Sequence, residues 1–368
     1  MDSADSVVNA DGDARDVTDP TDLTDATGVS GVTDAPEVAA PSPPPPAWQR
    51  IAARSAAVLL AGVSVLIGFR AADADGVTPV PQLLAFLPWL FAPAGLGLLL
   101  AAAARRRTGL VWALVALAAI GWFVRPYGAD ATEAHGRVVA HLRVLTANVE
   151  FGGAAEGLVD TVRREKPDLV FVQECDYTCS GALESRIPRK DYPYREVVEA
   201  GGAEGSAILS VHPLRAAAGV PGVLAMPGAV AEIGGRSVHL QLAHPLPPIP
   251  GGVAMWRSEL GALRSYAAGV KGRPALLAGD FNASQDHAAF RALLDAGGLH
   301  DSARLAGRSR TPSWPADSAL MPGTQIDHVL VSGDFRARSA RFLDLANTDH
   351  RTLLVEVDLY DMGRNGRP

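Results

Sequence analysis

The sequence predicts an α/β domain set behind a helical, apolar region, and three observations carry that expectation. From Leu142 onward, short apolar runs ending in polar residues alternate with amphipathic segments at helical spacing. Between Ile51 and Val124 lie three apolar runs with almost no charge. Ahead of them, residues 1–47 hold ten Asp or Glu, one Arg and a closing proline run.

Residues 1–47 have almost no aromatic or large aliphatic side chains. They cannot bury enough surface to offset their ordering entropy and are expected to be a disordered tail. They carry −9 of a total of −7, which leaves the rest of the chain at +2. In the predicted transmembrane region, 48–127, Ile51–Phe69 is interrupted only by Arg54, Leu83–Ala104 has 22 residues without charge, and Gly109–Val124 has 16. At about 1.5 Å per helical residue the second run is long enough for a hydrocarbon core of about 30 Å, and the third is short for it. Three spans (51–69, 83–104 and 109–124) predict a multi-pass protein of the cell membrane, with the lipid bilayer as a partner. Arg50 and Arg54 flank the first run and Arg105–Arg107 separate the second and third. The positive-inside rule then puts the tail in the cytoplasm and the domain after the third span outside the cell.

A linker, 128–140, leads into a domain at 141–360, and a short tail, 361–368, follows. Leu142–Asn148 reads as a strand, and Ala154–Lys166, with Leu158, Val159 and Val162 on one side, as a crossover helix. Pro167–Glu174 is a second buried strand, and Val238–His244 alternates and ends in a histidine. Ala254–Ala268 and Asp286–Ala296 read as helices, Pro274–Ala278 and Gln325–Val331 as strands, and a last strand follows His350. Gly219–Gly228 and Pro245–Pro250 read as loops. The chain has no internal repeat, no Walker-type or dinucleotide-binding glycine fingerprint and no Cys/His cluster at zinc spacing.

Chemistry gathers at the strand ends. Gly279-Asp280-Phe281-Asn282 follows the strand Pro274–Ala278. Residues two apart on an extended segment point the same way, so Asp280 and Asn282 are expected to reach into one site. There the carboxylate can take a proton from water while the amide donates a hydrogen bond to an anionic oxygen. Further polar strand ends surround it in order: Asn148, then Gln173-Glu174, His244, Asp327 and Asp349-His350.

This ordered set resembles the endonuclease/exonuclease/phosphatase superfamily, which includes DNase I-like nucleases, abasic-site endonucleases, neutral sphingomyelinases and inositol polyphosphate 5-phosphatases. The resemblance covers Leu142 to Leu359. It implies a four-layer α/β/β/α sandwich of two mixed sheets and metal-dependent hydrolysis of a phosphate ester. It also implies roles. Glu174 is the principal ligand of a divalent cation, with Asn148 and Asp349 beside it. Asp280 orients and deprotonates the attacking water, and Asn282 holds a phosphate oxygen. His350 stabilises charge on the phosphate, Asp327 fixes and charges that imidazole, and His244 is a second phosphate-side histidine and candidate general acid. DNase I-like nucleases pair the latter histidine with a glutamate on an earlier strand. Here that strand is Gly205–Ser210, and Glu204 is out of register.

An all-oxygen ligand set argues for Mg²⁺, with Mn²⁺ or Ca²⁺ as alternatives. Cys175 and Cys179 are the only cysteines. In an oxidising compartment they could close a small loop behind Glu174; two unpaired thiols are the alternative. His328, next to Asp327, faces the opposite way on its strand and reads as structural.

Residues 141–368 hold about as many basic as acidic side chains, so no basic face announces nucleic acid. The 30 Arg against 3 Lys fit a GC-rich bacterial genome as well as phosphate binding. The expected substrate is a phosphodiester or phosphomonoester such as nucleic acid. A phospholipid or inositol phosphate headgroup is one alternative, and a non-catalytic module that binds phosphorylated ligands is another. Trp256, Trp314 and Tyr266 either line a substrate groove or pack in the core.

Overall fold

The computed structural model describes residues 44–128, 136–316 and 322–361. The predicted tail at 1–47 lies outside these residues except at its end, as do the middle of the linker and all but the first residue of the C-terminal tail. The strands are β1 (Arg137–Asn148), β2 (Leu169–Gln173), β3 (Tyr194–Val198), β4 (Ser206–Ser210), β5 (Leu214–Val220), β6 (Met226–Ile233), β7 (Arg236–Ala243), β8 (Ala275–Asp280), β9 (His300–Asp301), β10 (Asp327–Val331), β11 (Phe335–Asp344) and β12 (Arg351–Asp361). The helices are α1 (Ala47–Ala71), α2 (Val80–Leu84), α3 (Phe91–Ala103), α4 (Arg107–Phe123), α5 (Ala155–Glu165), α6 (Tyr177–Arg186), α7 (Val253–Val270), α8 (Ala288–Gly297) and α9 (Ser302–Leu305).

Two six-stranded sheets run in the orders β11-β12-β1-β2-β4-β3 and β5-β6-β7-β8-β10-β9. Each is mixed, with a single parallel pair near its middle: β1 with β2, and β7 with β8. The strands of each pair are joined through a helix, α5 and α7 respectively, because a parallel connection needs a crossover. Period-two alternation then sorts the side chains. Leu142 and Val144 of β1 and Leu169 and Phe171 of β2 face the other sheet, where they share a core with Leu240, Leu242, Leu276 and Ala278. Their neighbours Leu145, Ala147, Val170 and Val172 face outward onto Leu158, Val159 and Val162 of α5 and Leu183 of α6. On the second sheet, Leu277 and Leu330 face Trp256, Leu260 and Leu263 of α7 and Phe290 of α8. The layers are therefore helix, sheet, sheet, helix. Truncating the fully buried Phe171 to alanine would cost about 3–5 kcal/mol.

The segment Gly219–Gly228, expected as a loop, is a loop only over 221–225; Gly219 and Val220 end β5, and residues 226–228 begin β6. Its glycines are there because the strands approach closely: a Cβ on Gly219 would lie 2.3 Å from the Met226 carbonyl oxygen, and one on Gly228 2.8 Å from that of Ala218.

The multi-pass membrane expectation is overturned. Among the described residues only α1, with 25 residues, is long and apolar enough to cross a membrane. The charge-free run Leu83–Ala104 is not one helix: α2 ends at Leu84, a 3₁₀ turn spans Leu87–Leu90, and α3 has 13 residues. Pro81 and Pro88 each sit at the start of a short helical piece, where a missing N–H is tolerated, so the run is broken into segments. At 17 residues α4 reaches only about 25 Å. The inside/outside assignment depended on three spans and falls with them, and the bilayer as partner retains α1 alone. Leu60 and Val63 of α1, Ala94 of α3, and Ala113, Ala116 and Ile120 of α4 pack together.

Candidate active site

The C-terminal ends of the two parallel pairs meet at one edge of the sandwich. Asn148 at the end of β1 pairs in register with Gln173 at the end of β2, and Glu174 follows. His244 follows β7, Asp280 ends β8, and Asp327 begins β10 directly opposite Asp280. Asp349 and His350 immediately precede β12. Gly279 is required before Asp280 because a Cβ there would lie 1.9 Å from the Ala243 carbonyl oxygen on the neighbouring strand.

Glu174, His244, Asp280, Asn282, Asp349 and His350 line a cavity of about 580 Å³. Asn148 and Asp327 stand behind it. The Asn148 amide nitrogen donates to Glu174 Oε1 at 3.0 Å and to Asp280 Oδ2 at 3.2 Å, while its oxygen accepts the Glu150 N–H at 3.0 Å. Asn148 thus turns its amide N–H to the two carboxylates, while its oxygen, which has two lone pairs, accepts one backbone N–H. Glu174 Oε2 accepts the Phe151 N–H at 3.1 Å, and Oε1 lies 3.8 Å from His244 Nε2. Glu204, expected out of register, is exposed and does not line the cavity, although its neighbour Ala203 does.

Asn282 reaches the cavity by a different route from the one its spacing suggested. β8 stops at Asp280, and Asn282 has φ +47°, so strand alternation does not place it. Its backbone N–H closes onto Asp280 Oδ1 at 2.8 Å, its side-chain amide donates to the Pro245 carbonyl at 3.0 Å, and Trp256 donates to its own carbonyl at 3.1 Å. Glu150, Phe151 and Glu174 share this left-handed backbone, with φ of +44°, +53° and +56°. Non-glycine residues held there cost about 1–3 kcal/mol each and cluster where geometry is dictated by function.

His350 Nδ1 is 2.9 Å from Asp327 Oδ2, and its Nε2 is 3.8 Å from Asp280 Oδ2 and 3.7 Å from Asp349 Oδ1. Burial alone would lower the His350 imidazole, but the Asp327 and Asp280 carboxylates outweigh it and hold it charged. Burial raises the Asp280 carboxyl above the usual range, with the His350 charge opposing. His244 behaves oppositely. Complete burial, reinforced by the His350 charge, pushes it down to about 3, which favours the neutral imidazole over the protonated form that the expected general acid uses.

Asp280, Asp327 and His350 each bring a ligand atom within 4.8 Å of the others, a cluster that could hold a metal ion. Two carboxylates and one imidazole suit a divalent cation once the imidazole has given up its proton, and the buried Asp327 Oδ1 has no hydrogen-bond partner within the protein. The disulfide Cys175–Cys179 sits just beyond Glu174: Cys175 precedes α6 and Cys179 lies in its first turn, so the pair is not confined to one regular helix. His328 is buried against Asp301 at 2.9 Å and the Ala283 carbonyl at 3.0 Å, away from the cavity.

Sequence reasoning left out several contributors. Glu150 Oε2 accepts the Asp349 N–H at 2.8 Å, and Thr348 ties the Asn148 carbonyl to the His350 N–H at 3.0 and 3.1 Å. The available signal for Glu150 was a lone carboxylate between Val149 and Phe151, two residues past Asn148. Of the three aromatics considered, Trp256 is core, Tyr266 packs against that core, and Trp314 is at the site, donating to Asp349 Oδ2 at 2.7 Å.

Fold and site together define a hydrolase of phosphate esters. The sequence profile of the Endonuclease/Exonuclease/phosphatase family matches residues 145–350, and the chain belongs to that family. No curated protein sequence matches it. Similar solved structures include a humanized D. rerio TDP2 carrying 14 mutations, at 15% identity over 59% of this chain and 98% of that one, with a TM-score of 0.48. Others are a family protein from Bacteroides thetaiotaomicron (17%, 60% and 98%, 0.45) and one from Beutenbergia cavernae DSM 12333 (18%, 61% and 72%, 0.47).

Proposed function

We propose that the protein is a Mg²⁺-dependent phosphoesterase that cleaves a phosphodiester or phosphomonoester by attack of a water activated by Asp280. The observation that carries this reading is the continuous array in which Asn148 links Glu174 to Asp280 and His350 lies between Asp280 and Asp327. Glu174 and Asp349 are assigned as the cation's carboxylate ligands, since both line the cavity whereas Asp327 is wholly buried and already bonded to His350. Asn148 orients Glu174 through its amide N–H. When bound, the cation neutralises phosphate charge and stabilises the charge that builds in the transition state.

The remaining steps belong to the chain's own groups. Asp280 accepts a proton from water as the water oxygen bonds to phosphorus. The bond from phosphorus to the ester oxygen breaks, and that oxygen takes a proton from solvent at the cavity mouth. Charged His350 donates to a phosphate oxygen, held in register by Asp327. Asn282 and neutral His244 offer hydrogen bonds to the other phosphate oxygens.

The test is release of p-nitrophenol from bis(p-nitrophenyl) phosphate by the full chain with Mg²⁺, Mn²⁺, Ca²⁺ or EDTA, with Asp280→Asn as control. Metal-dependent turnover that disappears in the variant is expected. Turnover that persists in EDTA or in Asp280→Asn would overturn the reading.

A further inference from the structure

One wall of the catalytic cavity comes from outside the family-matched residues, from the segment around α2. Pro81, Ala85 and Phe86 line the cavity, and the segment is clamped in place. The Pro81 carbonyl lies 2.8 Å from His287 Nε2, the Ala85 carbonyl accepts from Thr324 Oγ1 at 2.7 Å, and Gln82 donates to the Pro248 carbonyl. Trp89 donates to the Gly323 carbonyl at 3.0 Å, and the Phe86 ring lies 6.3 Å from that of Trp314. On the upstream side, Asp75 accepts the backbone N–H groups of Ala288 and Ala289 at 2.6 and 3.0 Å, at the start of α8. These bonds seat the segment at a defined position against the site.

The wall is apolar, and so is the loop it joins. Leu224, Leu246, Pro248 and the half-exposed Ile249 continue the surface begun by Phe86. Among the described residues lining the cavity none is Lys or Arg, whereas Glu150, Glu174, Asp280 and Asp349 are acidic. A polynucleotide brings a phosphate on either side of the one being cleaved, and its affinity comes mainly from Lys and Arg contacts to such phosphates. Here flanking phosphates would meet hydrocarbon and carboxylates. A single phosphate bearing an apolar group would place its charge at His350 and the cation and its hydrocarbon against the wall.

Building on the hydrolase reading above, we infer that the segment from Pro81 to Phe86 and the loop from Leu246 to Pro250 form a specificity subsite for an amphiphilic phosphate ester, one phosphate carrying an apolar substituent. Methyl p-nitrophenyl phosphate and hexyl p-nitrophenyl phosphate share reacting phosphate and leaving group and differ only in that substituent. Full burial is worth about fourfold per methylene, and partial burial of the hexyl chain should raise kcat/KM over the methyl ester at least about tenfold. Phe86→Ser and Ile249→Ser should each shrink that ratio. Equal kcat/KM for the two esters overturns the subsite and leaves the hydrolase standing, as does faster cleavage of a single-stranded oligonucleotide than of the hexyl ester. Calorimetric binding of hexylphosphonate against methylphosphonate separates the other failure: tighter hexyl binding without turnover of either ester keeps the subsite and removes the hydrolase. A micellar short-chain phospholipid, run beside the soluble hexyl ester, identifies the source. Preference for the micelle indicates a lipid headgroup and preference for the soluble ester a free amphiphile, and both uphold the subsite.

Discussion

Asp280 and Asp327 face each other directly across the antiparallel pair β8–β10, both buried, with His350 in reach of both. Like charges opposite one another on adjacent strands are destabilising, and burial compounds the cost. The charged imidazole offsets this in part, while burial keeps the Asp280 carboxyl raised and so favours its taking up a proton. Asp280→Asn keeps the shape, removes one of the facing charges and deletes the base. Loss of kcat by about 10²–10⁴ is expected, with no fall in the thermal midpoint. A midpoint that drops with activity would mean the residue is structural.

Trp314 holds Asp349 through the 2.7 Å indole bond, and Asp349 is otherwise a partly exposed side chain at the cavity. Trp314→Phe retains a tilted aromatic contact with Phe86 and deletes the donor. Hydrogen bonds to charged groups are worth about 1.5–3 kcal/mol, so the Mg²⁺ concentration for half-maximal activity should rise about tenfold or more. An unchanged Mg²⁺ requirement would remove Asp349 from the cation site.

The two candidate ligand sets give opposite rankings. With the cation on Glu174 and Asp349, Glu174→Gln weakens Mg²⁺ binding in a direct titration by about tenfold or more, and Asp327→Asn changes mainly kcat. The reverse ranking would place the ion on Asp280, Asp327 and His350.

Away from the site, His328 supplies a stability test. Burial lowers its pKa, but Asp301, at 2.9 Å, outweighs burial, and the net shift is upward from the ordinary 6.5. A group whose folded value exceeds its unfolded one stabilises the fold fully below the unfolded value. That contribution fades as pH rises from 6.5 through the higher folded value. Asp301→Asn should lower the thermal midpoint at pH 6 by more than at pH 9, by roughly the free energy of a buried charged hydrogen bond. Equal losses at the two pH values would show that His328 is neutral in the folded protein.

Much of this architecture is written locally. Alternation along Leu142–Asn148 and Pro167–Glu174 is a property of the strands themselves, and it already separates the residues that meet the opposite sheet from those that meet α5. The candidate site residues were legible for a related reason: a polar group at either end of an apolar strand, such as Asp280 ending β8 or Asp327 beginning β10, emerges where the strand leaves the sheet. Asn282 was foreseen at the site on the wrong grounds, because a left-handed turn rather than strand geometry carries it there.

What composition cannot convey is where a uniform apolar run is cut and what its pieces touch. Leu83–Ala104 contains no charge to mark the break at Leu84, and hydropathy is blind to the carbonyls that the turn exposes. The carbonyls of Pro81, just ahead of the run, and of Ala85 within it bind His287 and Thr324, residues more than 200 positions away, and so bring the first turn of an apparent span into the wall of the catalytic cavity. Strand periodicity and polar strand ends are short-range signals and survive in the linear chain. The partner of each exposed carbonyl, the pairing of the Asn148 amide with Glu174 and Asp280, and the burial that lowers the His244 pKa depend on contacts between distant segments, which exist only once the sandwich has closed.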